Sequence, residues 1–268
     1  MTMTVCAGGD TLHTLCNSRG MRVQVNPHDA SLESWWAPDR YGRLADVLEH
    51  AIAKPASEAA APRWQCDAAS EAGLELRLAQ DGLWVRLRYR LQDNGGLRID
   101  CEAVAIAPAR IGLAAPAFNL HGGGMVADHV LRVAADHYVP ALPAADVIDV
   151  AGSAFDFRHP APLGARLAWP GAQPAGTVGF DHGFCLAGDG LLREAARVAD
   201  PASGRELRFF TTQPRLHLQS DSRRFCLATE ALEIPCGAAM RHTFVYRLGV
   251  QDIDAFDISE SISVALNK

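Results

Sequence analysis

The sequence predicts an all-β fold, an antiparallel β-sandwich, from three observations. Apolar side chains alternate with Trp84 and three arginines over residues 83–91, which places one apolar face on an extended strand. A turn with the sequence DNGG follows at residues 93–96, and the alternation resumes over residues 97–103. This combination predicts a β-hairpin. Amphipathic helical patterns are scarce, and strands do not alternate with helices as they do in parallel sheets.

Shorter extended segments occur along the rest of the chain. We expect strands at residues 22–25, 74–78, 129–134, 206–212, 215–219, 225–229 and 243–250. Their distribution favours one large sandwich in a single domain spanning residues 1–268. The Pro/Ala-rich run at 54–62 is expected to be a surface loop. The Pro- and Gly-containing run at 160–179 is expected to be a long connection, a kind of segment that often carries function.

The amino-acid composition argues against several classes of function. The chain has 268 residues, a formal net charge of -6 and a pI near 5.9, which argues against a nucleic-acid or acidic-membrane binder. The only lysines are Lys54 and Lys268, so Schiff-base chemistry is not expected. No leader or membrane-spanning run is evident, and the cytoplasm is the expected compartment. The seven cysteines form no CxxC pair and are expected to be reduced and packed, with zinc binding as the alternative.

Two glycine-flanked segments contain candidate functional residues. Asp181 and His182 are adjacent in the run VGFDHGF, where the carboxylate can accept hydrogen bonds from hydroxyls and the imidazole can transfer protons. The alternative is a polar turn before a strand. His121 follows FNL and precedes three glycines, so it either faces a cleft or belongs to an ordinary loop.

The stretch from 215 to 230 contains a third set of candidates. Residues two apart share a face of a strand, so His217 and Gln219 lie together, as do Ala228 and Glu230. These faces either line a polar site or are simply solvated. Trp35 and Trp36 either stack on a ligand ring or pack in the interior.

Taken in order, several short motifs resemble the aldose 1-epimerase (galactose mutarotase) family over about residues 20–250. These are SLESWWAPDRYGR at 31–43, FNL at 118–120, DH at 128–129, ADHYVP at 135–140, FDFR at 155–158, GFDH at 179–182, DPASGR at 200–205 and TTQP at 211–214. The resemblance implies the galactose-mutarotase-like β-sandwich, or supersandwich. It also implies that Asp181 contacts the substrate.

The family's chemistry opens and recloses a pyranose ring with a carboxylate base and a histidine acid, and three departures concern these groups. The family's histidine stands three residues before the Phe of FNL, a place that Ala115 occupies here. The family's general base lies in a CLETQ-like strand, and Ala228 occupies that place in the run CLATE. The segment that supplies a substrate arginine and a second histidine is replaced by the short run at 54–62.

These departures leave three hypotheses open. The first is an isomerase acting on a sugar or another cyclic hemiacetal, with Glu230 as the base and His121 or His182 as the acid. In that hypothesis the substrate-binding residues are Asp181, His217, Gln219, Trp35 and Trp36. The second is a non-catalytic carbohydrate-binding or regulatory protein, and the third is an enzyme acting on a non-sugar metabolite. The expected partner is a small molecule, with no nucleic acid, no membrane, no metal and no cofactor, and the sequence does not indicate an oligomeric state.

Overall fold

The computed structural model describes residues 12–49, 64–140, 146–169, 179–188 and 190–251. In chain order the elements are β1 (His13–Cys16), β2 (Arg22–Val25), β3 (Leu32–Pro38), β4 (Leu44–Asp46), β5 (Gln65–Ser70), β6 (Gly73–Gln80), β7 (Leu83–Leu91), β8 (Gly96–Ala105), β9 (Ala109–Ile111), β10 (Ala117–Phe118), β11 (Val130–Val133), β12 (Ala135–Pro140), β13 (Ile148–Asp149), β14 (Ala161–Pro162), α1 (Leu163–Leu167), β15 (Asp181–Leu186), β16 (Arg193–Ala199), β17 (Arg205–Thr211), β18 (Arg215–Ser220), β19 (Phe225–Ala228), β20 (Leu232–Ile234) and β21 (Met240–Val250).

Two large sheets dominate the described residues. The nine-stranded sheet has the order β14-β11-β16-β17-β21-β8-β7-β6-β5, and the six-stranded sheet has the order β10-β19-β18-β15-β12-β13. A four-stranded sheet, β1-β2-β3-β4, and a two-stranded sheet, β20-β9, accompany them. The named pairings within these sheets are antiparallel, so the predicted all-β antiparallel sandwich is confirmed.

The predicted hairpin is β7 and β8, which pair from Leu83 opposite Ala105 to Leu91 opposite Leu97. Gly95 in its turn has φ 81°, and a Cβ there would overlap the backbone oxygen of Leu248. A side chain would therefore both strain the turn and push β21 away.

The remaining predicted strands are confirmed, with ends within three residues of the expectations. The expected long connection contains β14 and the five-residue helix α1, while residues 170–178 of it lie outside the described residues. The expected loop at 54–62 also lies outside them. The assignment of all 268 residues to a single domain stays a prediction.

The cysteine expectation needs one correction. Cys16, Cys101, Cys185, Cys226 and Cys236 are free thiols, but Cys66 is disulfide-bonded. Its strand, β5, is an edge strand of the nine-stranded sheet, and the Cys66 side chain is half-buried against the core. Among the described helices, none has the length and apolar character needed to cross a bilayer. The cytoplasmic location stays a prediction.

Aromatic side chains join the inner faces of the two large sheets. The ring of Phe118 lies 5.8 Å from Phe225 within the six-stranded sheet and 5.6 Å from Tyr246 of the nine-stranded sheet. The Tyr246 hydroxyl donates a hydrogen bond of 2.8 Å to the carbonyl of Leu227. This contact satisfies the buried hydroxyl and ties β21 to β19 across the core.

A buried arginine connects the sheets at the other end of the core. Arg205 at the start of β17 is 3% exposed. Its guanidinium donates to the carbonyls of Ala37 (3.2 Å), Arg43 (3.1 Å) and Leu120 (2.8 Å). It therefore links the nine-stranded sheet to the β3–β4 hairpin and to the loop after β10.

Replacing Arg205 by Met should destabilise the whole fold. The substitution keeps an unbranched side chain but leaves buried carbonyls without donors, so we expect the free energy of unfolding to fall by about 3 kcal/mol or more. The matched control is Arg208→Met, which removes an ion pair with Glu194 at the surface and should cost less than about 1 kcal/mol. Urea denaturation measures both, and equal losses would contradict the linking role of Arg205.

Candidate functional site

The outer face of the six-stranded sheet carries polar side chains on three neighbouring strands. On β15 and β18, Asp181 lies opposite Gln219 and Gly183 lies opposite His217. On β18 and β19, His217 lies opposite Ala228. Residues directly opposite each other point to the same side of a sheet, so these five positions share one face.

The other face of the same strands forms part of the core. Leu216, Leu218 and Leu227 are each 0% exposed and alternate with the outer residues. The period-two pattern of the sequence therefore separates a packed side from a polar side. The polar cluster on the outer side consists of Asp181, Arg215, His217, Gln219 and Glu230.

The closest contact in the polar cluster joins Asp181 and His217. Nε2 of His217 lies 2.6 Å from Oδ1 of Asp181, and the two side chains remain 36% and 54% exposed respectively. A carboxylate only accepts hydrogen bonds, so Nε2–H of the imidazole is the donor. This bond fixes the orientation of the ring and leaves Nδ1 as the atom that can exchange a proton with a ligand.

Glu230 brings a second carboxylate to the same face. Its Oε1 accepts a hydrogen bond of 3.1 Å from Nη1 of Arg215, and this contact raises the pKa of the guanidinium. The carboxylate lies over Gly183, because a Cβ built there would be 3.8 Å from the same Oε1. Since Gly183 is opposite His217, the imidazole has Asp181 on one side and Glu230 nearby on the other. The sequence did not point to Arg215, although its spacing from His217 places it on the same strand face.

His182 does not join the polar cluster. As the immediate neighbour of Asp181 on β15 it points to the opposite face, where its ring lies 4.1 Å from that of Phe155. Nδ1 accepts a hydrogen bond of 3.1 Å from the backbone N–H of Asp181. Burial lowers the pKa of His182 to about 4, so the ring is neutral near pH 7. The expectation that His182 is a catalytic acid is not supported.

His121 lies elsewhere as well. Its Nδ1 is 3.1 Å from Oδ2 of Asp200, a buried carboxylate that also accepts a hydrogen bond from the backbone N–H of Ser203. The histidine therefore contacts the turn between β16 and β17, on the nine-stranded sheet. The structure brings Glu230, but not His121, together with Asp181 and His217.

The two tryptophans also diverge from the expected stacking role. Trp35 is fully buried, and its ring lies 6.3 Å from that of Phe118, so it packs in the core. Trp36 is 37% exposed on the four-stranded sheet, with the guanidinium carbon of Arg22 5.7 Å from its ring centroid. Neither tryptophan has a described contact with the polar cluster.

A small cavity lies next to Ala228, the residue opposite His217, at the positions where the family resemblance expects the histidine and the glutamate. Its volume is about 30 Å³, and both Ala115 and Ala228 line it. The other lining residues are Ala30, Leu32, Tyr89, Ile99, Leu113, Ala114, Pro116, Thr229, Phe244 and Tyr246. The cavity therefore extends from the edge of the six-stranded sheet toward the inner face of the nine-stranded sheet, between mostly apolar walls.

Comparison with known proteins finds similarity to one protein family. The aldose 1-epimerase family model matches residues 58–234. Galactose mutarotase from Homo sapiens is 37% identical over 152 residues, which are 52% of this chain and 43% of the human protein. Galactose mutarotase from Mus musculus is 39% identical over 139 residues, 49% of this chain and 38% of the mouse protein. The matches thus span less than half the length of these curated relatives.

Solved structures agree with this fold. The aldose epimerase homologue from C. elegans superposes with a TM-score of 0.73 at 15% identity, covering 91% of this chain and 100% of that one. Galactose 1-epimerase from Lactobacillus acidophilus superposes with a TM-score of 0.65 at 19% identity, covering 94% and 99% respectively.

The buried His182 should make stability depend on pH. Its pKa of about 4 in the folded protein lies below the ordinary value near 6.5, so between these values the unfolded chain binds a proton that the folded protein does not. The free energy of unfolding should therefore fall as the pH decreases from about 6.5 to 4, by up to about 3 kcal/mol from this residue.

The His182→Phe variant should lose less stability over that pH range than the parent protein does. Part of the decline should persist, because burial also lowers the pKa of His129 to about 4. His159 is exposed, and His159→Phe is the control. Urea denaturation at a series of pH values measures the three declines. A parent and a His182→Phe variant with the same decline would contradict the neutral, buried state of His182.

Proposed function

Because the chain belongs to the aldose 1-epimerase family, we propose that it acts on a sugar or another cyclic hemiacetal bound at the polar cluster. The observation that carries this proposal is the 2.6 Å contact between Asp181 and His217, with the Glu230 carboxylate over Gly183, which lies opposite His217. Two carboxylates and one imidazole at neighbouring positions supply both a proton acceptor and a proton donor. Ring opening requires both at once.

Glu230 acts as the base in the proposed mechanism. Its carboxylate removes the proton from the anomeric hydroxyl, the O–H electrons form the carbonyl double bond, and the bond between the anomeric carbon and the ring oxygen breaks. The ion pair with Arg215 is solvent-exposed on both sides, and such pairs exchange readily for other hydrogen bonds because they contribute little energy. A ligand hydroxyl can therefore replace the guanidinium at the carboxylate.

His217 acts as the acid. Its protonated Nδ1 gives a proton to the ring oxygen as that oxygen leaves, while Asp181 holds the ring through Nε2. The open-chain aldehyde then rotates about the bond to its neighbouring carbon and recloses with the two proton transfers reversed. The reaction moves protons and exchanges no electrons with a partner, so its balance requires no redox cofactor. Gln219, opposite Asp181, offers its amide to further ligand hydroxyls.

A second candidate function is ligand binding without chemistry. It is favoured by Ala115 and Ala228, which stand at the places where the family resemblance expects a histidine and a glutamate. Their side chains transfer no protons, and the cavity that they line is largely apolar. In this case Asp181 and Gln219 hold the sugar hydroxyls, and turnover is absent.

Anomer exchange tests the first function. We expect the protein to accelerate exchange between the α and β anomers of galactose or glucose, measured by NMR, and Glu230→Gln and His217→Gln each to lower the rate at least about 100-fold. The matched control is Glu233→Gln, because Glu233 is an exposed carboxylate paired with Arg110 in the separate two-stranded sheet β20-β9. Full activity in Glu230→Gln would remove Glu230 from the mechanism.

Titration calorimetry with the same sugars tests the second function. We expect Asp181→Asn to weaken binding about 10-fold or more, since a hydrogen bond to a charged group is lost. Asp136→Asn is the control, because the Asp136 carboxylate is exposed and pairs with Arg158 at the surface. Saturable binding combined with no acceleration of exchange would favour the binding function over the isomerase.

A further inference from the structure

The small cavity beside the polar cluster restricts the chemical class of the ligand. Resting on the function proposed above, we propose that the ligand is a sugar with a methyl group, a deoxy or O-methyl sugar, whose methyl group enters this cavity. The cavity is lined by Ala115 and Ala228 and has a volume of about 30 Å³.

The cavity is within reach of a ligand at the polar cluster. Ala228 lies directly opposite His217, and directly opposite residues have Cβ atoms about 4.5–5.5 Å apart. Ala115 is exposed at the rim, two residues before the first residue of β10, which pairs with β19. A sugar whose hydroxyls bind Asp181 and Glu230 therefore has one edge at the cavity opening.

The walls of the cavity favour an apolar group over a hydroxyl. Leu32, Ile99, Leu113 and Phe244 contribute hydrocarbon surface. The hydroxyls of Tyr89 and Tyr246 are already used, because they donate to the carbonyls of Ala30 and Leu227, each at 2.8 Å. Among the described lining residues, Thr229 carries the one remaining side-chain hydroxyl. A sugar hydroxyl inserted here loses its water without regaining a full set of partners.

The size of the cavity is also compatible with a methyl group. A volume of about 30 Å³ holds a group at least the size of a water molecule, which is sufficient for a methyl group. The site then recognises two features of its ligand. The polar cluster binds the hydroxyls, and the cavity binds one methyl group. A simple hexose satisfies only the first part.

The test compares matched ligands by titration calorimetry on the full chain. The pairs are galactose with 6-deoxygalactose and glucose with its 6-deoxy, 2-O-methyl and 3-O-methyl derivatives. We expect one or more of the methyl-bearing sugars to bind about fourfold or more tightly than its parent, the gain for burying one carbon group. Equal or weaker binding of every methyl-bearing sugar, with the parents bound, would overturn the inference and leave the proposed function standing.

Two variants test whether the preference for methyl-bearing sugars depends on the cavity. Ala115→Leu fills it from the exposed rim, and Ala228→Val fills it from β19, so failure of one variant to fold leaves the other. Each should abolish the preference for the methyl-bearing sugar, and Ala79→Leu, on the exposed side of β6, should preserve it. A preference retained in the folded cavity variants would place the methyl group elsewhere and overturn the inference. Binding of neither parents nor derivatives would overturn the proposed function itself and, with it, the inference.

Discussion

The buried guanidinium of Arg205 is the interaction on which the arrangement of the sheets depends. It fixes the carbonyls of Ala37, Arg43 and Leu120 relative to β17, and the loop that contains Leu120 continues directly from β10. Because β10 pairs with β19, and β19 with β18, the position of His217 follows from this anchor through two strand pairings. A buried guanidinium is tolerated at this position only because backbone oxygens accept hydrogen bonds from its N–H groups.

Strand alternation divides the six-stranded sheet into a packed side and a polar side. The inner residues pack against the aromatic rings that join the two large sheets, which leaves the strands little freedom to shift in register. Strands therefore carry four of the five residues of the polar cluster, and the fifth, Glu230, follows the end of β19. The strands keep the cluster's side chains at fixed distances from one another, and these side chains remain accessible to a ligand. Proton transfer to a bound ligand requires both conditions.

The sequence predicted the longest strands but missed others, such as β12 and β16, and it predicted the candidate site only in part. The alternation over β7 and β8 predicted the hairpin, because the side-chain period is a local property. His217 and Glu230 were singled out from their expected strand faces and Asp181 from a glycine-flanked motif, and the fold brings the three side chains to one side of the sheet. The adjacent His182 was grouped with Asp181 as a motif, although neighbours on a strand point to opposite sides. The contact between Arg215 and Glu230 joins β18 to the segment after β19, and this proximity is set by the fold and not by any local pattern.

The carboxylate of Glu230 lies two residues after Ala228, and this placement is compatible with the apolar cavity that Ala228 lines. A glutamate at position 228 would place a charge opposite His217 and against hydrocarbon walls, where desolvation costs several kcal/mol. Two residues further along, about 6–7 Å away, Glu230 is solvated and paired with Arg215. The charge and the apolar pocket can therefore coexist beside one imidazole. In the proposed mechanism the reacting atom of the ligand lies near Glu230, which leaves the space at Ala228 for a part of the ligand that does not react.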